Sequence, residues 1–110
     1  MASRRRVVQD RLAGSGLQEH VEYLAHRSGP AALRFSQAAE QSFDQLAENP
    51  GLGAVWGFEN PEIQDVRVWP IRGFRNYLIF YRSSEETLRV MRVIHGAKDI
   101  AAIFQRETNP

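Results

Sequence analysis

The sequence contains no cysteine, and that single absence removes several kinds of chemistry. There is no thiol for a disulfide framework, a thiolate metal site or a cysteine nucleophile. The lack fits a reducing compartment, so the expectation is a cytoplasmic protein. Long apolar runs are missing as well: none approaches the roughly 18 residues that a membrane span needs. The start, MASRRRVVQD, is basic like a secretory leader but has no apolar segment behind it, so no export is expected. No internal repeat or low-complexity segment is present. The histidines and carboxylates fall at no spacing that suits a metal ion. No metal and no cofactor is expected.

What remains is an ordinary globular composition arranged unevenly. With 110 residues, 43% of them apolar and 25% charged, the chain suffices for one core and one domain spanning 1–110. Residues 1–5 and 105–110 are expected to be disordered ends. The net charge is only +1, but Arg4, Arg5, Arg6 and Arg11 outweigh Asp10 at the start. Residues 19–65 set eight carboxylates against Arg27 and Arg34. Residues 66–110 set seven arginines and Lys98 against four carboxylates. An acidic middle and a basic second half suggest a molecule with one positive working face.

The first half reads as helix. RRRVVQ (4–9) suits a short first strand, and GLQEHVEYLAHRS (16–28) places Leu17, Val21, Leu24 and Ala25 on one side of a helix. SGP (28–30) breaks that pattern and puts Pro30 at the start of a second helix. Over 30–48, Phe35, Ala38, Ala39, Ser42, Phe43 and Leu46 form a continuous apolar stripe, which ENPGLG (48–53) ends. Two helices joined by so short a break predict an antiparallel helical hairpin.

The second half reads as strand. IQDVRVWPI (63–71), FRNYLIFYR (74–82) and TLRVMRVIH (87–95) are rich in β-branched and aromatic residues, with SSEE (83–86) as a hairpin turn. Pro70 belongs at an edge or strand end, since it has no N–H to donate. AKDIAAIF (97–104) predicts a short last helix with Ile100, Ile103 and Phe104 facing inward. Tyr77, Ile79 and Tyr81 alternate with Leu78, Phe80 and Arg82, so both faces of the middle strand are largely apolar and need cover. The hairpin covers one. The last helix covers only part of the other, leaving surface for a partner. The fold class is therefore α+β: an N-terminal antiparallel helical hairpin on a small antiparallel sheet, with a short C-terminal helix.

The order helical hairpin, LAENPGLG, VRVWPIRGFRNYLIFYR, LRVMRVIHGAKDIAAIF resembles the RelE/ParE superfamily of type II toxins, most closely its ParE branch. FRNYLIFYR and RVIHGAKDI carry the resemblance most specifically. It implies a toxin neutralised by a cognate antitoxin, with which it forms a hetero-oligomer, and acting on DNA gyrase without hydrolytic chemistry. RelE-like members instead cut mRNA on the ribosome, and a non-toxic antitoxin-binding relative is a third alternative. The mRNA-cutting members place an arginine just after the glycine that ends the last strand, and a tyrosine six residues later. Lys98 and Phe104 hold those places here, and phenylalanine cannot exchange a proton.

Individual residues support two readings. In a nuclease, His95 would move protons while Lys98, Arg92 and Arg75 stabilised phosphate charge. In a binding toxin, His95 would be hydrogen-bonded at the strand end, with Gly96 allowing the strand-to-helix turn and Asp99 favouring the start of the last helix. Arg92 is then a partner for Asp99. Arg67, Arg72, Arg75, Arg82 and Arg89, with Tyr81 and Trp69, are the candidates for contact with antitoxin or target. Trp56 and Trp69 suit either stacking on bases or packing in the fold. His20 and His26 lie among polar neighbours on the first helix, and no role is assigned to them.

Overall fold

The computed structural model describes residues 4–108. After a short strand β1 (Arg6–Gln9), the chain forms two long helices, α1 (Arg11–Arg27) and α2 (Gly29–Glu48). The start of α2 follows from its sequence. Ser28 Oγ accepts the Ala31 N–H at 3.2 Å, and Pro30 sits in the first turn, where a missing N–H costs nothing. Of its apolar stripe, Phe35, Ala39, Ser42, Phe43 and Leu46 are buried. Ser42 donates its hydroxyl to the Ala38 carbonyl at 2.8 Å, so burial leaves that group satisfied.

Helix α1 begins earlier than the sequence pattern placed it. The Asp10 carbonyl already accepts the Gly14 N–H at 3.0 Å, so Gly14 and Gly16 lie inside the helix rather than ahead of it. A Cβ on Gly16 would stand 3.2 Å from the Val93 carbonyl oxygen, so its absence lets α1 lie close on the sheet. Ala25, counted on the inner side, is exposed. Helical periodicity alone could not see either feature, because both depend on what lies opposite.

The sheet has five strands in the order β1-β5-β4-β3-β2, with β2 (Ala54–Val55), β3 (Arg67–Ile71), β4 (Phe74–Ser83) and β5 (Thr87–His95). Strands β2 to β5 pair antiparallel, and β1 joins β5 in parallel, which makes the sheet mixed. The expected strand at 63–71 is shorter. Asn60 accepts the Glu62 N–H at 2.9 Å and starts a 3₁₀ turn at Pro61–Ile63, so pairing begins only at Arg67. Pro70 lies beyond the two residues that β2 pairs, where no ladder bond is needed from it. Helix α3 (Ile100–Thr108) closes the described chain. Arg5 is held by its N–H on the Ala47 carbonyl at 3.2 Å and its Nε on Ser84 O at 2.6 Å. The expectation of disorder at 1–3 and 109–110 falls outside the described residues.

Both faces of the sheet are covered. On one, Phe35, Ala39, Phe43 and Leu46 of α2 and Ala13 of α1 pack with Ile79, Tyr81, Leu88, Val90 and Val93. On the other, Ile100 and Phe104 of α3 pack with Ile63, Val66, Phe80 and Ile94. The strand-face alternation read at 77–82 holds, and α3 is the smaller cover.

Tyr81 has no exposed surface. Its hydroxyl donates to the Pro50 carbonyl at 2.6 Å and accepts the Gly53 N–H at 2.9 Å, fastening the turn after α2 to the sheet. Only glycine fits at 53, since a Cβ there would lie 2.5 Å from Tyr81 Oη and 2.6 Å from Val68 O. Tyr81→Phe should therefore cost about 1–3 kcal/mol by leaving the buried Gly53 N–H and the half-buried Pro50 carbonyl without their partner. Gly53→Ala should cost more, because backbone must move. Urea unfolding of the two variants checks both the size and the order of the losses.

Candidate functional site

One extra residue in β5 decides which side chains meet. Phe80 pairs with Arg92 and Tyr81 with Val90, so Met91 is a bulge. A bulge resets the alternation of a strand. Val93 consequently joins Val90 on the helix-covered face. His95 follows two positions on and pairs with Tyr77, so it arrives on that face as well.

There it meets a histidine that the sequence left without a role. His20 projects from α1, where its Nε2 lies 2.9 Å from the Val93 carbonyl oxygen. A carbonyl can only accept, so Nε2 carries the proton. The His20 ring stands edge-on to Tyr77 at 4.9 Å and to Phe35 at 6.3 Å. His95 also stands edge-on to Tyr77 at 4.9 Å. Tyr77 is thus the wall that both imidazoles share. The signal missed was a polar residue one turn along the helix from Gly16, where α1 lies close on β5.

The two histidines line a cleft of about 390 Å³ together with Arg92, Lys98, Glu19, Leu12 and Ile103. His95 Nδ1 accepts the Ala97 N–H at 3.1 Å, which places the proton of the neutral ring on Nε2. Asp99 accepts the Ala102 N–H at 3.1 Å and so caps α3. Gly96 serves the turn differently from what its sequence context suggested. Its φ is not positive. What it supplies is room: its N–H reaches the Asn76 carbonyl at 2.6 Å, and a Cβ would stand 3.3 Å from that same oxygen.

Of the nuclease candidates, His95, Lys98 and Arg92 come together in the cleft, whereas Arg75 does not line it. The other candidates scatter. Arg67 donates to Gly53 O at 2.6 Å. Arg82 hydrogen-bonds the Asp65 carboxyl, which holds that group below its ordinary range, and also donates to Glu62 O at 2.7 Å. Arg89 grips Asp10 with three bonds of 2.8–3.0 Å. Those three guanidinium groups hold the fold. Tyr81, counted as a contact for a partner, is instead fully buried. Trp69 packs against the helix-side core. Arg72 and Arg75 are exposed at the β3–β4 end. Trp56 is 40% exposed and leans on Phe58 and Phe80. Phe104 is buried against Phe58 and Phe80, so the place of a catalytic tyrosine is occupied by core.

Among the described residues no three His, Asp or Glu side chains gather so as to hold a metal ion. No described helix is long and apolar enough to cross a membrane.

A helical hairpin on a five-stranded sheet, closed by a short third helix, defines a small α+β architecture. The chain belongs to the family of the ParE toxin of type II toxin–antitoxin systems, parDE, whose model matches residues 7–100. A similar solved structure is that of a chromosomal ParDE toxin–antitoxin system from P. aeruginosa. It aligns with a TM-score of 0.66 at 18% identity, covering 83% of this chain and 95% of that one. No curated protein matches the sequence significantly.

Burial of His20 pushes its pKa below the ordinary 6.5, outweighing the hydrogen bond to Val93. A base with a lowered folded pKa binds fewer protons folded than unfolded. Its contribution to stability is therefore present above pH 6.5 and declines as pH falls through and below that value. Wild-type protein should lose urea resistance on going from neutral to mildly acid solution, and His20→Gln should flatten that dependence. Equal slopes in the two proteins would show that His20 does not carry it.

Proposed function

We propose that this chain is the toxin of a toxin–antitoxin pair, bound by a cognate antitoxin and inhibiting DNA gyrase when released. The observation that carries the reading is membership of the ParE toxin family across residues 7–100. The inhibition is by binding. The toxin holds a gyrase–DNA intermediate in place, and its own side chains break no bond. The buried Phe104 supports this, since the last helix offers no phenol to exchange a proton. The antitoxin partner is a segment that folds on binding, drawn by the basic second half of the chain. Assembly with it occurs in the cytoplasm.

The rival reading is a ribosome-dependent mRNA endonuclease. One observation favours it: His95, Lys98 and Arg92 line a single cleft. Against it, position 104, where that reading calls for a second proton-transfer group, holds the buried Phe104.

Supercoiling and DNA-cleavage assays with purified gyrase and this protein alone separate the two. The expected outcome is lost supercoiling with accumulated cleaved DNA. His95→Ala, once circular dichroism shows that it folds, should retain that inhibition. Unaffected gyrase in the presence of folded protein would remove the proposal. The ribosome would then be the target to assay, with His95→Ala expected to abolish toxicity and keep antitoxin binding.

A further inference from the structure

We propose that the cleft between α1 and the β5–α3 turn binds a phosphate group, presented by a free nucleotide or by a nucleic-acid strand. The inference stands apart from the gyrase reading, which neither requires the cleft nor fails with it.

The cleft gathers polar groups from three places in the fold: the donors Arg92 and His95 from β5 and Lys98 from the turn, and from α1 the ring of His20, whose N–H is given to the Val93 carbonyl. Glu19 is the one carboxylate among its lining residues. Three aspartates of the chain are paired with arginines outside the cleft. Asp10 is held by Arg89, Asp65 by Arg82 and Asp44 by Arg4. Asp99, next in sequence to Lys98, is turned to the Ala102 N–H. Lys98 makes no ion pair among the described residues, and its side chain is exposed.

The two imidazoles are also fixed before any ligand arrives. His95 receives the Ala97 N–H on Nδ1, which assigns its own proton to Nε2 and keeps that N–H as a donor. His20 is anchored on the Val93 carbonyl. Both rings are braced on Tyr77 at 4.9 Å. A ligand therefore does not have to order the imidazoles, which is where much binding energy is otherwise lost.

Size and lining narrow the ligand class. A volume of about 390 Å³ exceeds what one tetrahedral anion fills and suits a phosphate with part of a nucleoside attached. Leu12, 39% exposed, and Ile103 give that remainder an apolar wall beside the cationic one. A fixed imidazole N–H on His95, a guanidinium, a lysine and an apolar flank are the elements that recognise a phosphate carrying a sugar or base.

The test is a titration of the full chain with sodium pyrophosphate, then ADP, then a short single-stranded oligonucleotide. Histidine Cε1–H resonances report it, and exposed His26, which does not line the cleft, is the internal control. The expected result is a saturable shift of His20 and His95 with His26 unmoved. Lys98→Glu should weaken the binding about tenfold or more, as loss of a charge-assisted contact predicts. Arg75→Glu, outside the cleft, should leave it unchanged. A response to ADP alone assigns the site to free nucleotide, and a response to the oligonucleotide alone assigns it to a strand. The proposal is overturned if no probe shifts the two resonances at millimolar concentration. It is equally overturned if His26 moves with them, or if folded Lys98→Glu binds as wild type does.

Discussion

Between Phe80 and Tyr81 of β4, strand β5 carries one residue more than its partner, and the arrangement around the cleft depends on it. Counted evenly from Leu88 and Val90, the helix-covered face would receive Arg92 and Ile94 next. That would press a guanidinium into the core and turn His95 away from α1. The bulge at Met91 prevents this by resetting the alternation, so Val93 enters the helix-side core while Ile94 faces α3. His95 is thereby delivered to Tyr77 and the neighbourhood of His20. A strand buried on both faces tolerates such a shift only because apolar residues stand ready on each side of it.

The same two-sided burial explains how the arginines divide. Many lie on or beside strands whose faces are occupied, so a guanidinium there must find a partner at the sheet's margin. Arg82 reaches Asp65, and Arg89 reaches Asp10 at the junction of β1 and α1. Arg67 reaches the carbonyl of Gly53. These contacts stitch loops to the sheet and are partly solvent-screened, so their service is more to position than to stabilise. The positive character that remains available is local, at the cleft and at the exposed Arg72 and Arg75. An even basic face is not what the fold presents.

Family membership and the buried Phe104 point in one direction, and the polar cleft adds a feature that neither accounts for. A toxin that acts by binding has no need of two histidines fixed against a common tyrosine. Their tautomers follow from a carbonyl and an amide that leave no choice, which is the kind of preorganisation a ligand site requires. The cleft draws its lining from both sides of β5: His20 and His95 from the α1 side, and Ile94 and Ile103, which pack in the cluster of Phe58, Phe80 and Phe104, from the α3 side.

The sequence by itself determined the α+β class, the helical hairpin with its stripe from Phe35 to Leu46, and the two apolar faces of β4. Each rests on a period of 3.6 or 2 that neighbours along the chain display. Even the place of Asp99 at the start of α3 and the core role of Phe104 were readable, since both depend on a few adjacent residues; that Asp99 caps the helix through the Ala102 N–H was not. Only the tertiary structure decided the early start of α1, the parallel β1, the short β2 and the bulge at Met91. It alone joined His20 to His95, 75 positions apart in a chain where both looked unremarkable singly. Those features depend on what lies across a gap in space: the Val93 carbonyl facing Gly16, the Tyr81 hydroxyl facing Gly53, the Tyr77 ring between two imidazoles. Periodicity records which side of an element is buried, but the partner on that side is chosen by long-range pairing register, and no local pattern encodes it.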